Sequence, residues 1–133
     1  MRVYVDSCLQ IYGVEQVEPW VGPVHRLLAR SDLTIVTSSL VLMECLVLPL
    51  RNGNSALAAQ YGRWLARFEA RELSRAVFAL AAQLRADAPA LRTPDAIHLA
   101  CAIHYGCEEF WTNDDRGLSR AAAGRLAVRT ITD

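Results

Sequence analysis

The chain has 133 residues, of which 53% are hydrophobic and 21% charged, with a formal net charge of +0. That length and composition predict one domain spanning residues 1–133 with a sizeable core, and exclude a disordered chain. Balanced charge excludes a global field drawing the molecule to nucleic acid or to a membrane surface. All 14 basic residues are Arg, so every mechanism that needs a lysine is excluded. No apolar run approaches membrane-spanning length, and the start lacks a basic segment before a long apolar stretch. Cys8, Cys45, Cys101 and Cys107 form no CxxC pair, and no His sits at zinc-finger spacing. They read as reduced core residues of a cytoplasmic protein.

Arg2-Val3-Tyr4-Val5 is a β-branched and aromatic run without polar alternation, which predicts a buried central strand. It stops at Asp6-Ser7. Asp6 is either a site residue at a strand's carboxyl end or the N-cap of a helix over residues 8–12. Residues 13–19 read as a loop carrying Glu15 and Glu18. A helix is expected over residues 20–30, then a strand over 33–36. Thr37 or Ser38 then caps an apolar helix over 39–48, stopped by Pro49. Glu44 is the one charge in that helix. A carboxylate there is costly unless paired or bound to a cation. A salt bridge to Arg51 is the bland alternative, and the site reading is preferred.

After a turn at 51–54, residues 55–69 read as a helix carrying Arg63, Arg67 and Arg71. That stripe is either a phosphate-binding face or a solvated face with Glu69 and Glu72 as partners. The solvated face is preferred. Leu73 is assigned to a short edge strand, and Ser74 caps a helix over 75–86. Thr93-Pro94-Asp95 starts the next helix, with Thr93 at the N-cap, Pro94 at N1 and Asp95 near N2. Ile97, Ala100, Cys101 and Ile103 form its apolar face, and Gly106 ends it. Phe110-Trp111-Thr112 is a third strand, ending at Asn113-Asp114-Asp115. A short helix over 116–123 and a strand over 126–131 follow. Alternating strands and helices predict an α/β fold with a mostly parallel sheet and helices on both faces.

In such a sheet, strand carboxyl ends and the following helix N-termini share one edge. Asp6, Asp95 and Asp114 therefore gather there, and Glu44 reaches the same cleft. Two carboxylates 5 Å apart repel by about 3 kcal/mol at an effective dielectric near 20. With no Lys in the chain and no Arg next to Asp6 or Asp95 in sequence, Mg²⁺ or Mn²⁺ held by oxygen ligands is the natural counter-charge. Such sites activate water for phosphodiester hydrolysis. A receiver domain and a haloacid-dehalogenase-type phosphatase fit poorly: both the Lys and a DxD motif are missing, position 8 being Cys8. His98, one turn after Asp95, either supports the site or is a satisfied core residue, and the core reading is preferred.

These pieces, taken in order, resemble the PIN-domain family and, within it, the VapC-type toxins of toxin–antitoxin modules. The residues that carry the resemblance are Val3-Tyr4-Val5-Asp6-Ser7, Ser38 to Cys45 with Pro49-Leu50-Arg51, Leu84-Arg85-Ala86, Pro94 to Ala100, and Thr112-Asn113-Asp114. The resemblance implies a three-layer PIN-like domain and a metal-dependent endoribonuclease acting on tRNA or rRNA, neutralised by a cognate antitoxin and usually dimeric. It implies Asp6, Glu44, Asp95 and Asp114 as the acidic quartet that binds Mg²⁺ or Mn²⁺. Ser7, Thr112 and Asn113 fall at supporting positions, and Asp115 competes with Asp114 for the fourth place. In the implied reaction Asp6 and Asp95 hold the first metal, and Glu44 helps bind it, directly or through water, and orients the attacking hydroxide. Asp114 completes the site or a weaker second metal position, leaving 5′-phosphate and 3′-hydroxyl ends. RNA contacts are expected from Arg63, Arg67 and Arg71, or from Arg85 and Arg92. The competing class is a non-catalytic module of the same fold, whose acidic cleft binds a partner's arginine. A flap-type DNA nuclease is disfavoured by the small size.

Overall fold

The computed structural model describes residues 1–131. The chain begins with β1 (Arg2–Val5), α1 (Ser7–Glu15), α2 (Val21–Leu28) and β2 (Thr34–Ser38). It continues through α3 (Ser39–Arg51), α4 (Ser55–Leu65), β3 (Glu69–Arg71) and α5 (Arg75–Asp87). It closes with α6 (Thr93–His104), β4 (Glu109–Thr112), α7 (Leu118–Ala122) and β5 (Ala127–Thr130). The five strands form one sheet in the order β3-β2-β1-β4-β5, and every pairing is parallel. The chain adopts the expected α/β fold, a parallel sheet with helices packed on both faces.

Strand alternation divides the core. Val3 and Val5 of β1 face Leu9, Val24 and Leu27 of α1 and α2. Tyr4, between them in sequence, points to the opposite face. There it joins Val36, Phe110 and the buried faces of α3, α4, α5 and α6. α6 is sheathed almost all round: Asp95, Ala96 and the run from His98 to Ala102 are buried. Its buried set therefore differs from the expected stripe, and Ile97 and Ile103 are only half-buried.

The order of the sheet decides where a site can form. From β1 the chain builds outward one way to β2 and β3, then returns to place β4 and β5 on the other side. The switch point lies between β1 and β4, where crevices open at strand carboxyl ends. The backbone N–H of Asp6 donates to the Trp111 carbonyl at 2.9 Å, so the two strand ends are stitched together there.

Several boundaries differ from the sequence reading for identifiable reasons. Gly13 to Glu15 are helical, not a loop. Gly13 serves close packing, because a Cβ there would lie 2.8 Å from Trp64 Cζ2 on α4. Pro49 sits inside α3 and does not stop it. In the last turn its missing N–H removes a single helical bond, and its ring is buried. Glu69 leaves the predicted helix for β3, while Leu73 lies outside that strand. Arg2 forks the Glu69 carboxylate at 3.2 and 2.7 Å, and Arg71 Nε adds a contact at 2.9 Å. Arg92, not Thr93, takes the N-cap backbone conformation of α6. The Thr93 hydroxyl instead accepts from Arg85 Nη1 at 3.0 Å.

The packing at Gly13 gives a direct test. Gly13→Ala is expected to destabilise the fold by about 1–3 kcal/mol through overpacking against Trp64. Urea unfolding would show it as a lower midpoint at an unchanged slope.

Candidate metal centre

Asp6 follows β1 directly and is also the N-cap of α1, so the cap keeps its carboxylate at the strand's carboxyl end. Its Oδ1 accepts from the Ser7 N–H at 2.8 Å, and the Ser7 hydroxyl lies 3.4 Å from the same oxygen. Its Oδ2 accepts from the Thr112 hydroxyl at 3.0 Å. A buried carboxylate with both oxygens engaged is rigidly aimed.

Glu44 extends from α3 toward the same point and pairs with His98, not with Arg51. His98 Nε2 donates to Glu44 Oε1 at 2.6 Å and lies 3.8 Å from Asp6 Oδ1. On the other side of the ring, His98 Nδ1 meets the Tyr4 hydroxyl at 2.7 Å. That hydroxyl also meets Ser38 Oγ at 2.8 Å. Burial, first of all, pushes the Tyr4 phenol well above its ordinary value, so it stays protonated. With Glu44 ionised, one pattern satisfies the whole row: Ser38 donates to Tyr4, Tyr4 to Nδ1, and Nε2–H to Glu44. The Ser38 hydroxyl is thereby drawn away from capping α3, where it makes no cap bond. His98, the residue sequence reasoning assigned to the core, is both a core residue and the group that places Glu44. Its spacing of three residues from Asp95 on one helix was the available signal.

Asp6, Glu44 and His98 each bring a ligand atom within 4.8 Å of the others. Because Nε2 carries its proton to Glu44 in the pattern above, the donors left for a cation are carboxylate oxygens. An oxygen donor set fits a hard divalent ion such as Mg²⁺ or Mn²⁺.

Asp95 lies at N3 of α6, buried, and is held by two arginines. Arg92 Nε donates to Oδ2 and Arg116 Nη2 to Oδ1, each at 3.1 Å. The same Arg116 nitrogen is 3.8 Å from Asp6 Oδ2, so one guanidinium bridges the two acids. This corrects the expectation that the cleft lacks a protein counter-charge. Arg92 is three residues from Asp95, and Arg116 is brought in from beyond β4. No sequence signal pointed to Arg116. Two guanidiniums face the three carboxylates of Asp6, Glu44 and Asp95, which leaves an excess of negative charge.

The residues after β4 divide their roles. Asp114 is exposed, and its backbone carbonyl lies 3.4 Å from the Thr112 hydroxyl. Asp115 turns to α7: Oδ1 accepts from the Ser119 N–H at 2.9 Å, and its other oxygen accepts from the Ser119 hydroxyl. Its capping bonds hold the carboxyl below its ordinary value although burial opposes them. Asn113 donates to the Tyr12 hydroxyl at 2.8 Å, tying the end of β4 to α1. Burial pushes the Cys8, Cys45 and Cys101 thiols up to about 12, so none is a thiolate ligand or nucleophile at neutral pH.

A family model described as PIN domain matches residues 3–124. No curated protein matches the chain. Among solved structures, DNA-bound VapBC from Salmonella typhimurium is similar over 99% of this chain and 99% of its own, with a TM-score of 0.80 at 16% identity. VapBC2 from Rickettsia felis, bound to a promoter DNA fragment, is similar over 98% of both chains, with a TM-score of 0.79 at 17% identity. A toxin–antitoxin complex from Klebsiella pneumoniae is similar over 98% of both chains, with a TM-score of 0.72 at 20% identity. At such identities the likeness is one of fold.

For Glu44, burial alone would raise the carboxyl. The His98 hydrogen bond outweighs it, with Ser7 and Arg116 adding, and holds the carboxyl below its ordinary value of 4.5. A depressed folded value contributes stability that is fully present above pH 4.5 and is lost as pH falls through the lower folded value. Glu44→Gln is therefore expected to be less stable than wild type at neutral pH. That gap should shrink below pH 4.5 in urea unfolding at a series of pH values.

Proposed function

This chain belongs to the PIN domain family, and from that premise we propose that it is a metal-dependent endoribonuclease, the toxin of a VapC-type toxin–antitoxin pair. The observation that carries the reading is the convergence of Asp6 and Glu44 at the sheet's switch point, each pinned by neutral donors from the core. In this reading Asp6, Glu44 and Asp95 hold Mg²⁺ or Mn²⁺, and the exposed Asp114 completes the set from the rim. A divalent ion so held lowers the pKa of water and neutralises charge gathering on a phosphoryl group.

The chain's own residues do the rest. Thr112 and Ser7 fix the Asp6 carboxylate, and His98, Tyr4 and Ser38 fix that of Glu44, so neither group reorients during the reaction. Glu44 is the half-buried acid with one oxygen bonded to His98, which leaves the other to accept a proton from the attacking water. Arg116 sits where a non-bridging phosphate oxygen would be drawn to a guanidinium. The substrate class is tRNA or rRNA at an accessible single-stranded loop.

Two protein contacts belong to this reading, a homodimer and an antitoxin. Leu42, Met43, Val47, Leu48 and Leu50 on α3 and Phe78 on α5 are large, apolar and exposed. That much exposed apolar surface supports a covering partner. The non-catalytic alternative draws on a different observation. Arg116 already bridges Asp6 and Asp95, so the cleft accepts a guanidinium of the kind a partner would supply.

The two readings separate in one experiment. Purified wild type and Asp6→Asn are incubated with total tRNA and rRNA, with Mn²⁺, with Mg²⁺ and with EDTA. Discrete metal-dependent cuts by wild type, reduced about a hundredfold or more in Asp6→Asn, are expected. Equal cutting by both proteins would mark a contaminant. No cutting despite calorimetric Mn²⁺ binding would favour the interaction module. Mn²⁺ titration of His98→Phe is expected to show affinity about 10–100-fold weaker than wild type, because Glu44 loses the group that places it.

A further inference from the structure

Zero net charge leaves open how this chain would grip a polyanion. The arginines singled out in the sequence do not supply the answer. Arg71 is paired with Glu69, Arg92 with Asp95, and Arg85 is bonded to the Leu91 carbonyl and Thr93. Arg67 lies over the Trp64 ring at 4.3 Å. Arg63, Arg67 and Arg71 are also split between α4, the turn after it and β3, so they form no helical stripe.

A different set converges next to the acids. A cavity of about 710 Å³ lies between the loop joining α5 to α6 and the segment around α7. Arg116, Arg120 and Arg125 line it. Arg116 is the wall shared with the metal centre, since its guanidinium also touches Asp95. Left-handed backbone at Arg116 and Gly117 (φ 45 and 85) and at Ala123 and Gly124 (φ 51 and 80) brackets α7 and shapes both lips. The cavity's two acids are each bonded to a neutral neighbour. Asp115 is bonded to Ser119, and Asp87 accepts from Gln83 at 3.0 Å. Arg120 and Arg125 are exposed, and neither forms an ion pair among the described residues. The opposite wall is apolar, with Pro89 and Ala90 exposed and Leu91 buried beneath them.

Free guanidiniums facing an apolar wall match the two halves of a nucleotide: the phosphate is taken by the fork of an arginine, the base or ribose by the apolar side. The volume is within the range of small-ligand sites. We infer that this cavity seats a nucleotide of single-stranded RNA flanking the scissile phosphate, with Arg120 and Arg125 on its phosphate and Pro89 and Ala90 against its base or ribose. The inference rests on the nuclease reading and specifies where the substrate strand leaves the metal centre. A duplex offers no splayed nucleotide to fill such a cavity, so single strands are selected.

The test is fluorescence anisotropy with a short fluorescein-labelled single-stranded RNA of mixed sequence, in EDTA so that nothing is cut, over a series of salt concentrations. R120A/R125A is expected to bind about tenfold more weakly and to lower the salt slope by about 1.4, two phosphate contacts for a single strand. R120K/R125K is expected to restore the slope, because it keeps both charges. R63A, remote from the cavity, is expected to bind like wild type. Wild-type affinity and slope in R120A/R125A would overturn the inference. So would displacement of the probe by poly-glutamate as effectively as by unlabelled RNA, which would mark an acidic-peptide site. Unchanged binding and unchanged KM in an R120A/R125A enzyme that still cuts would remove the cavity assignment and leave the nuclease reading standing. Weakened binding in that variant, with no metal-dependent cutting by wild type, would remove the nuclease reading and leave the RNA contact.

Discussion

Glu44 stays ionised on an apolar helix because His98 Nε2 donates to it at 2.6 Å, and most of the structure is arranged around that bond. His98 keeps its donor pointed there because Tyr4 occupies Nδ1, and Tyr4 is in turn met by Ser38. One row of polar atoms thus joins α3, α6, the central strand β1 and the end of β2. A buried row of this kind stabilises only when every member is satisfied, so it tolerates a single arrangement of these four elements. Packing enforces the same register. Tyr4 stacks on Phe110 with ring centroids 5.3 Å apart, which fixes the hydroxyl laterally.

The parallel sheet supplies the other constraint. Its switch point falls between β1 and β4, so the residue after β1 and the turn after β4 face each other across one crevice. Asp6 is held there from both sides, by Ser7 of α1 and by Thr112 of β4. Asp95 arrives from the N-terminus of α6 with arginines already on both oxygens. The cleft is consequently balanced in part by the protein itself. A bound cation adds to that balance and need not create it.

Arginine placement separates two tasks. Arg2 and Arg129 pair across strands with Glu69 and Glu109, and Arg71 adds a contact to Glu69 within β3. Arg92 and Arg116 organise the acids, and Arg120 and Arg125 remain available beside them. A chain without net charge can therefore still cluster unpaired guanidiniums beside its acidic cleft.

Four of the five strands, the parallel architecture and the gathering of Asp6, Glu44 and Asp95 were legible in the sequence. Each rests on short-range signals: β-branched runs, a proline at a helix start, a lone carboxylate in an apolar helix. What tertiary structure alone decided are the contacts between groups far apart in the chain. Glu69 became a strand residue because Arg2 and β2 meet it across the sheet. Gly13 sits inside α1 where Trp64 packs into the space a Cβ would fill. Arg116 entered the cleft from beyond β4, and Ser38 gave up its cap to complete the Tyr4 row. Local propensity acts over a turn or two of chain, whereas ion pairs and buried hydrogen bonds are set by distance in space. The sequence by itself therefore determined which residues are acidic and in what order strands and helices alternate. The fold determined which charges those acids face.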